Sequence, residues 1–167
     1  MGIRQAILDE LPALRRYARA LSGQAGIADD LVQDTVARAL EKCRFWQSRR
    51  ALRPWLFAIM HNLFIDQLRH DRPLQFMPDE AMPEQAETLA PEQLLWRRDL
   101  DRALARLPVE QREVLLLVSL EGFSYEEVAQ TLRLPLGTVM SRLSRARTRM
   151  RLLLSENDIP SGKAIHS

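Results

Sequence analysis

The groups best equipped for chemistry in this chain are arginines, and their arrangement points to binding rather than bond breaking. Arg142, Arg145, Arg147, Arg149 and Arg151 follow one another closely, with no acidic residue between Glu127 and Glu156. The planar guanidinium donates paired hydrogen bonds to a phosphate or to the O6/N7 edge of guanine, so such a run is suited to nucleic acid. Val139, Leu143, Ala146 and Met150 recur at helical spacing through the same segment. Burying that stripe turns Thr138, Ser141, Arg142, Arg145 and Arg149 outward. A second group combines Phe45, Trp46, Arg49 and Arg50, followed by Asn62. Aromatic and guanidinium planes can stack an unpaired base, and an amide can hydrogen-bond its edge. Plainer readings stand beside these. The arginines could be solvated on an amphipathic surface helix, Phe45 and Trp46 could pack beneath their own loop, and Trp55 reads as core.

Catalytic groups do not converge. His61, His70 and Cys43 are scattered without zinc-ligand spacing, and neither a Gly-rich phosphate loop nor a nucleophile elbow is present. No catalytic residue, metal or cofactor is therefore expected, and a nuclease built on His61 and Asp66 is a weak alternative. Cys43 lies on an apolar stripe and reads as a small core residue. As the single cysteine it excludes an intrachain disulfide and fits a reducing cytosol. The longest apolar stretch, Val114 to Leu120, contains Ser119 and is too short to span a bilayer. The N-terminus lacks a charged-then-apolar leader, so a cytoplasmic protein without membrane insertion is expected.

The elements that must position these residues are helices. Glycines number only six and alternating β-branched runs are lacking, so an all-α chain is expected. Residues 1–70 carry eleven basic and seven acidic groups, residues 71–96 one and six, and residues 97–167 twelve and nine. Two basic lobes thus flank an acidic connector. Arginine supplies 22 of the 24 basic residues, which favours phosphate and guanine binding but also follows from a GC-rich genome.

In the first lobe, three helical segments are predicted: Ile3 to Leu21 with a break near Pro12, Ile27 to about Arg44, and a segment opened by Pro54 that runs to about Arg69. Trp55, Leu56, Ile59, Met60 and Leu63 are expected to face inward. Pro73, Pro78, Pro83 and Pro91 among acidic residues mark a flexible linker over 73–93. In the second lobe, helices are predicted over Leu94 to Leu107, Val109 to Leu120, Ser124 to about Leu132, and from the Pro135 turn to about Leu154. Gly122 is placed for a left-handed cap, and Ser124 with Glu127 has capping-box spacing. The expected domains are 1–72 and 94–154, followed by a polar tail over 155–167.

Val128, Ala129, Leu132, Leu134, Val139, Leu143 and Ala146 form one seam between a short helix and a long basic one. That is a helix-turn-helix pattern, although Arg133 stands where many such turns carry glycine. Two stretches sharpen the pattern. Leu107 to Val114, Glu121 to Ala129 and Gly137 to Arg147 resemble region 4 of extracytoplasmic-function (ECF) sigma factors, of the sigma-70 family. Ala28-Asp29-Asp30-Leu31-Val32-Gln33-Asp34-Thr35 resembles their region 2.2. Pro54 to Ile59, with His61, Asn62 and Asp66, resembles regions 2.3 and 2.4.

The resemblance covers nearly the whole chain in the family's order. It implies a region 2 three-helix domain and a region 4 helix-turn-helix domain, acting as an alternative sigma factor rather than an enzyme. It further implies that Asp30, Gln33, Asp34 and Arg38 meet the β′ clamp helices of core RNA polymerase. The outward apolar side of Val109 to Leu120 would meet the β flap. Phe45, Trp46, Arg49, Arg50 and Asn62 would read and open the minus-ten promoter element. Ser141, Arg142 and Arg145 would face the minus-thirty-five element, with Thr138 and Arg149 beside them and Met140 in a slot that often holds a basic residue. An anti-sigma factor is the implied inhibitor. A stand-alone helix-turn-helix repressor would leave the first lobe unexplained. A sigma-like decoy for an anti-sigma factor would be expected to carry a receiver domain or a degraded recognition helix.

Overall fold

The computed structural model of the protein describes residues 2–46, 51–70 and 90–157. Within them the chain forms eight α-helices and one 3-10 turn, and no strand. The first lobe comprises α1 (Ile3–Asp9), α2 (Leu11–Ser22), α3 (Ala25–Lys42), the 3-10 turn Cys43–Phe45 and α4 (Leu52–His70). The second comprises α5 (Pro91–Arg106), α6 (Val109–Ser119), α7 (Tyr125–Leu132) and α8 (Leu136–Asn157).

The expected all-α class is observed. The run from Ile3 to Leu21 splits at Glu10, with Pro12 in the first turn of α2 where its missing N–H costs nothing. The first lobe therefore has four α-helices, one more than expected. Gly23, at φ 70, ends α2. Pro91, expected in the linker, instead opens α5, and the Gln93 side chain accepts from the Ala90 amide 3.1 Å away. The helix at the C-terminal side runs three residues beyond the expected end at Leu154. Most of the expected linker and nearly all of the polar tail fall outside the described residues.

Leu14, Tyr17, Ala18, Leu21, Leu31, Leu56 and Met60 form the centre of the first lobe, with α2 packed on α3 and α3 on α4. Val114, Leu117, Val128, Val139, Leu143 and Ala146 form that of the second, where α8 closes over α6 and α7. Leu56, Ile59 and Met60 are buried as expected, whereas Trp55 and Leu63 are half-buried. Phe57 and Phe64 are buried instead. The reason is that α4 packs on α3 along one side and on α7 along another, so its apolar residues do not form a single stripe.

The lobes share one core. Phe57 of α4 stands edge-on to Tyr17 at 5.1 Å and to Phe123, just before α7, at 5.2 Å between ring centroids. Such pairs favour the contact of a ring edge with a ring face. Here one ring joins three elements from both lobes.

The entry to α7 is closed by the capping box read from sequence. Ser124 Oγ accepts from the Glu127 amide at 3.1 Å, and Glu127 Oε1 accepts from the Ser124 amide at 3.0 Å. Replacing Ser124→Ala is expected to cost about 1 kcal/mol of stability. Urea unfolding followed by circular dichroism checks this; an unchanged midpoint would show that the cap contributes nothing.

Candidate nucleic-acid interface

The basic face of α8 exists because of where its apolar residues sit. Val139, Leu143, Ala146, Met150 and Leu153 are buried against α6 and the neighbouring helices. Ser141, Arg145 and Arg149 are left exposed, and Thr138 and Arg142 half-exposed, along one side of the helix. All five residues proposed from spacing therefore share a face. Met140 is 51% exposed and lies about 100° around the helix beyond Ser141, outside that face. It lines a shallow pocket with Tyr125, Leu143, Ser144, Arg147 and Arg151. Ser141 Oγ donates back to the Thr138 carbonyl at 3.3 Å. At the start of α8, the Thr138 and Val139 amides reach the Pro135 carbonyl. The amides of Leu136 and Gly137 precede those bonds, and a helix N-terminus of this kind attracts phosphate.

The turn ahead of α8 shows how the sequence accommodates the missing glycine. Arg133 takes the left-handed conformation itself, at φ 55 and ψ 52. Its amide caps α7 by donating to the Ala129 carbonyl, and the Leu134 amide donates to the same oxygen at 3.0 Å. Val128 and Leu132 are fully packed in the seam, while Ala129 and Leu134 are half-buried.

In the first lobe, Asp30, Gln33, Asp34 and Arg38 are all exposed on α3. Their spacing of three and four residues gathers them on one side, opposite the buried Ala28, Leu31, Val32, Thr35 and Ala39. Phe45 projects outward, 72% exposed, with the Arg44 guanidinium 4.9 Å above its ring. Trp46 is half-buried, and its indole Nε1 is enclosed without a hydrogen-bond partner. Asn62 is exposed on α4. Arg49 and Arg50 lie outside the described residues. Cys43 is half-buried against the core, and its thiol donates to the Leu40 carbonyl at 3.1 Å.

A set of charged residues at the lobe junction was not anticipated. Arg112 of α6 is 2% exposed and donates to carbonyls of both lobes. Its Nε reaches Leu104 O at 2.7 Å, Nη1 reaches Leu21 O at 2.8 Å, and Nη2 reaches Leu107 O at 2.8 Å and Ala105 O at 3.3 Å. These oxygens end α2 and α5, where helices lack internal donors. Burial pulls the Arg112 guanidinium down to about 10, against the pull of Glu113 and Tyr17, so it remains charged at neutral pH. Beside it, Glu113 Oε1 accepts from His61 Nδ1 of α4 at 2.5 Å.

Glu121 follows α6 with a fully buried carboxylate. Arg16 donates to it through Nε at 3.0 Å and Nη2 at 2.8 Å, and Arg53 through Nη2 at 2.7 Å. That pairing with Glu121 raises the Arg16 pKa. Arg53 Nε also lies 3.0 Å from Glu10 Oε2, an ion pair without hydrogen-bond alignment. The one hint available in sequence was the isolated Glu121 beside a cap glycine, and it does not reveal its partners.

Two family models match. Sigma-70, region 4 covers residues 97–150, and the Sigma2 domain of PhyR covers residues 7–61. The chain is 41% identical to the ECF RNA polymerase sigma factor EcfG of Rhodopseudomonas palustris, over 92% of this chain and 85% of that protein. This chain belongs to the ECF RNA polymerase sigma factors. The sigma factor is also similar to two solved structures. One is the sigma factor RpoE in complex with the anti-sigma factor NepR from Bartonella quintana, at 37% identity and a TM-score of 0.76 over 90% of this chain and 95% of that one. The other is CnrH in complex with the cytosolic domain of CnrY, at 27% identity and a TM-score of 0.70 over 92% and 87%.

Its α8 is thus the recognition helix of region 4, and its role is transcription initiation rather than enzymatic turnover. Among the described residues, no helix of the sigma factor is long and apolar enough to cross a membrane.

Holding an L-residue in the left-handed region costs about 1–2 kcal/mol, and glycine relieves most of it. Arg133→Gly is therefore expected to stabilise the sigma factor by about 0.5–1 kcal/mol, seen as a higher urea midpoint. A lower midpoint would show that the Arg133 side chain makes contacts worth more than the backbone strain.

Proposed function

We propose that this sigma factor uses the exposed side of α3 to hold core RNA polymerase and the arginine face of α8 to choose the promoter. The observation that carries the reading is that, among the described residues, both faces stand exposed or half-exposed in one chain of this family. Asp30, Gln33, Asp34 and Arg38 form the contact with the β′ clamp helices. Arg142 and Arg145 read base edges of the minus-thirty-five element in the major groove. Thr138, Ser141 and Arg149 fix the helix against phosphates, and Met140 borders a sugar or a thymine methyl.

Phe45 and Trp46, with Arg49, Arg50 and Asn62, form the minus-ten element's reading and melting surface. The outward position of Phe45 supports a stacking role, since an exposed ring offers its face to an extruded base. Each lobe alone binds DNA weakly, and polymerase fixes their separation so that the two contacts act as one bivalent interaction. The domains 1–72 and 94–154, with the 73–93 connector, are the units that move apart. The protein works in the cytoplasm, where polymerase is. An anti-sigma factor, the kind of partner that RpoE holds in its complex, keeps it inactive until released.

A second reading is favoured by one observation. The first lobe matches the Sigma2 domain of PhyR, and a PhyR is described as an anti-anti-sigma factor in a related complex. A decoy would bind the anti-sigma factor and no promoter. The intact basic face of α8 and the likeness to EcfG over most of both chains support the initiating role instead.

Run-off transcription with sigma-free core polymerase and host promoters decides between them. Discrete transcripts are expected, with Arg142→Ala lowering promoter affinity about 5- to 150-fold, the equivalent of about 1–3 kcal/mol. Asp34→Ala should weaken core binding while leaving the isolated DNA contact intact. Binding to an anti-sigma factor without core binding or transcripts would establish the decoy.

A further inference from the structure

We propose that Arg44 is a positioning residue: its guanidinium covers one face of the Phe45 ring and sets the other face as a platform for an unpaired base. Among the large apolar side chains described, Phe45 is the most exposed, at 72%. It does not turn inward, because the residues on either side of it take the inward places. Cys43 packs against the core, and its thiol donates to the Leu40 carbonyl at 3.1 Å. Trp46 is half-buried, and its amide donates to the Cys43 carbonyl at 3.2 Å. Between these two anchors the 3-10 turn leaves Phe45 outward.

Arg44 is what orders the ring. Successive residues of a helical turn do not face each other. A guanidinium 4.9 Å from the Phe45 centroid is therefore a side chain folded back over its neighbour. A carboxylate was within the same stretch of chain: Glu41 stands exposed three residues earlier. Yet among the described residues Arg44 makes no ion pair or hydrogen bond, and its one contact is with the ring. The attraction is that of a cation for the negative face of an aromatic. No other ring or cation lies against Phe45 among the described residues, so its second face is open to solvent.

A base that leaves a duplex needs a flat apolar surface, and any base can use one, since each has a π face. A phenylalanine free on a turn would lose rotamer freedom at every such encounter. With Arg44 over it, that ordering is already complete in the free chain, which is the advantage of a preorganised site. Trp46 has a different task here. Its indole Nε1 is enclosed and its ring is committed to holding the turn, so Phe45 is the stacking residue and Trp46 its support. That the base belongs to the minus-ten element rests on the reading above; the platform itself does not.

Photocrosslinking of the full chain tests this. The probe is a single-stranded oligodeoxynucleotide of mixed sequence with 5-iododeoxyuridine at one position, a base that couples on irradiation to an aromatic ring stacked on it. A crosslink at Phe45, located by mass spectrometry of the peptides, is expected. Arg44→Gln should weaken binding of the strand about two- to fivefold, the worth of an exposed cation–π contact. It should also lower the Phe45 crosslink yield when the strand is saturating, with helicity unchanged. Arg15→Gln removes the same charge from an exposed position on α2 and should leave that yield as it was. Additivity separates positioning from a direct contact. In a Phe45→Ala background, Arg44→Gln should weaken binding no more than Arg15→Gln does.

Absence of a crosslink at Phe45 would overturn the platform. So would an Arg44→Gln effect of the same size with and without the Phe45 ring, a result that would make Arg44 a phosphate contact in its own right. A Phe45 crosslink that depends on Arg44, in a sigma factor whose Phe45→Ala variant opens promoters with core polymerase as well as the wild type, would leave the platform standing and remove the minus-ten assignment.

Discussion

The arrangement of the lobes depends on satisfying one buried cation. Arg112 lies in the interior, where an uncompensated charge costs several kcal/mol, and only a nearly complete set of acceptors makes its placement tolerable. Those acceptors are carbonyl oxygens at the ends of α2 and α5, which need donors in their turn. Each deficiency thus answers the other. A guanidinium with several fixed donors meets oxygens whose helices cannot supply partners, and hydrogen bonds to a charged group are worth about 1.5–3 kcal/mol each. The reciprocity ties the end of α2 to the turn between α5 and α6.

From that point the remaining junction follows. With α2 fixed on α6, Glu113 comes within reach of His61, Glu121 within reach of Arg16 and Arg53, and Phe57 between Tyr17 and Phe123. Glu113 and Glu121 come from the second lobe, and their basic partners His61, Arg16 and Arg53 from the first. The overall charge of +2 conceals this pairing, because both lobes are net basic. The faces proposed for polymerase and promoter are on other sides. The exposed positions of α3 and α8 lie opposite their buried stripes, so the packing that builds the core also leaves these faces outward.

What could be read from the residues was whatever depends on local periodicity. The stripe of Val139, Leu143, Ala146 and Met150 identified the outward arginines because α8 is packed along one flank. Ser124 with Glu127 announced the start of α7, and Gly122 took its left-handed cap at φ 71, because caps involve neighbours only three residues apart. Periodicity failed at α4, which is covered on two sides, so Phe57 and Phe64 escaped notice. It also failed at Pro91, which looks the same in a linker as in a first helical turn. The partnerships of Arg112 and Glu121 span up to 105 residues, and no spacing rule connects such positions. Arg133 marks a middle case: its place in the turn was visible, but not that arginine would accept the backbone that glycine usually takes.

The length of α8 has a further consequence for how the molecule spends its time between promoters. Its 22 residues extend about 33 Å, and its arginine face remains open while the lobes are closed. With the lobes packed together the molecule therefore still presents a row of cations, and a face of that kind binds the phosphate backbone of any sequence with the weak, salt-sensitive affinity of counterion release. On the proposed reading of that face, the chromosome would be a store for the idle protein, and promoter search would begin along DNA rather than from free solution.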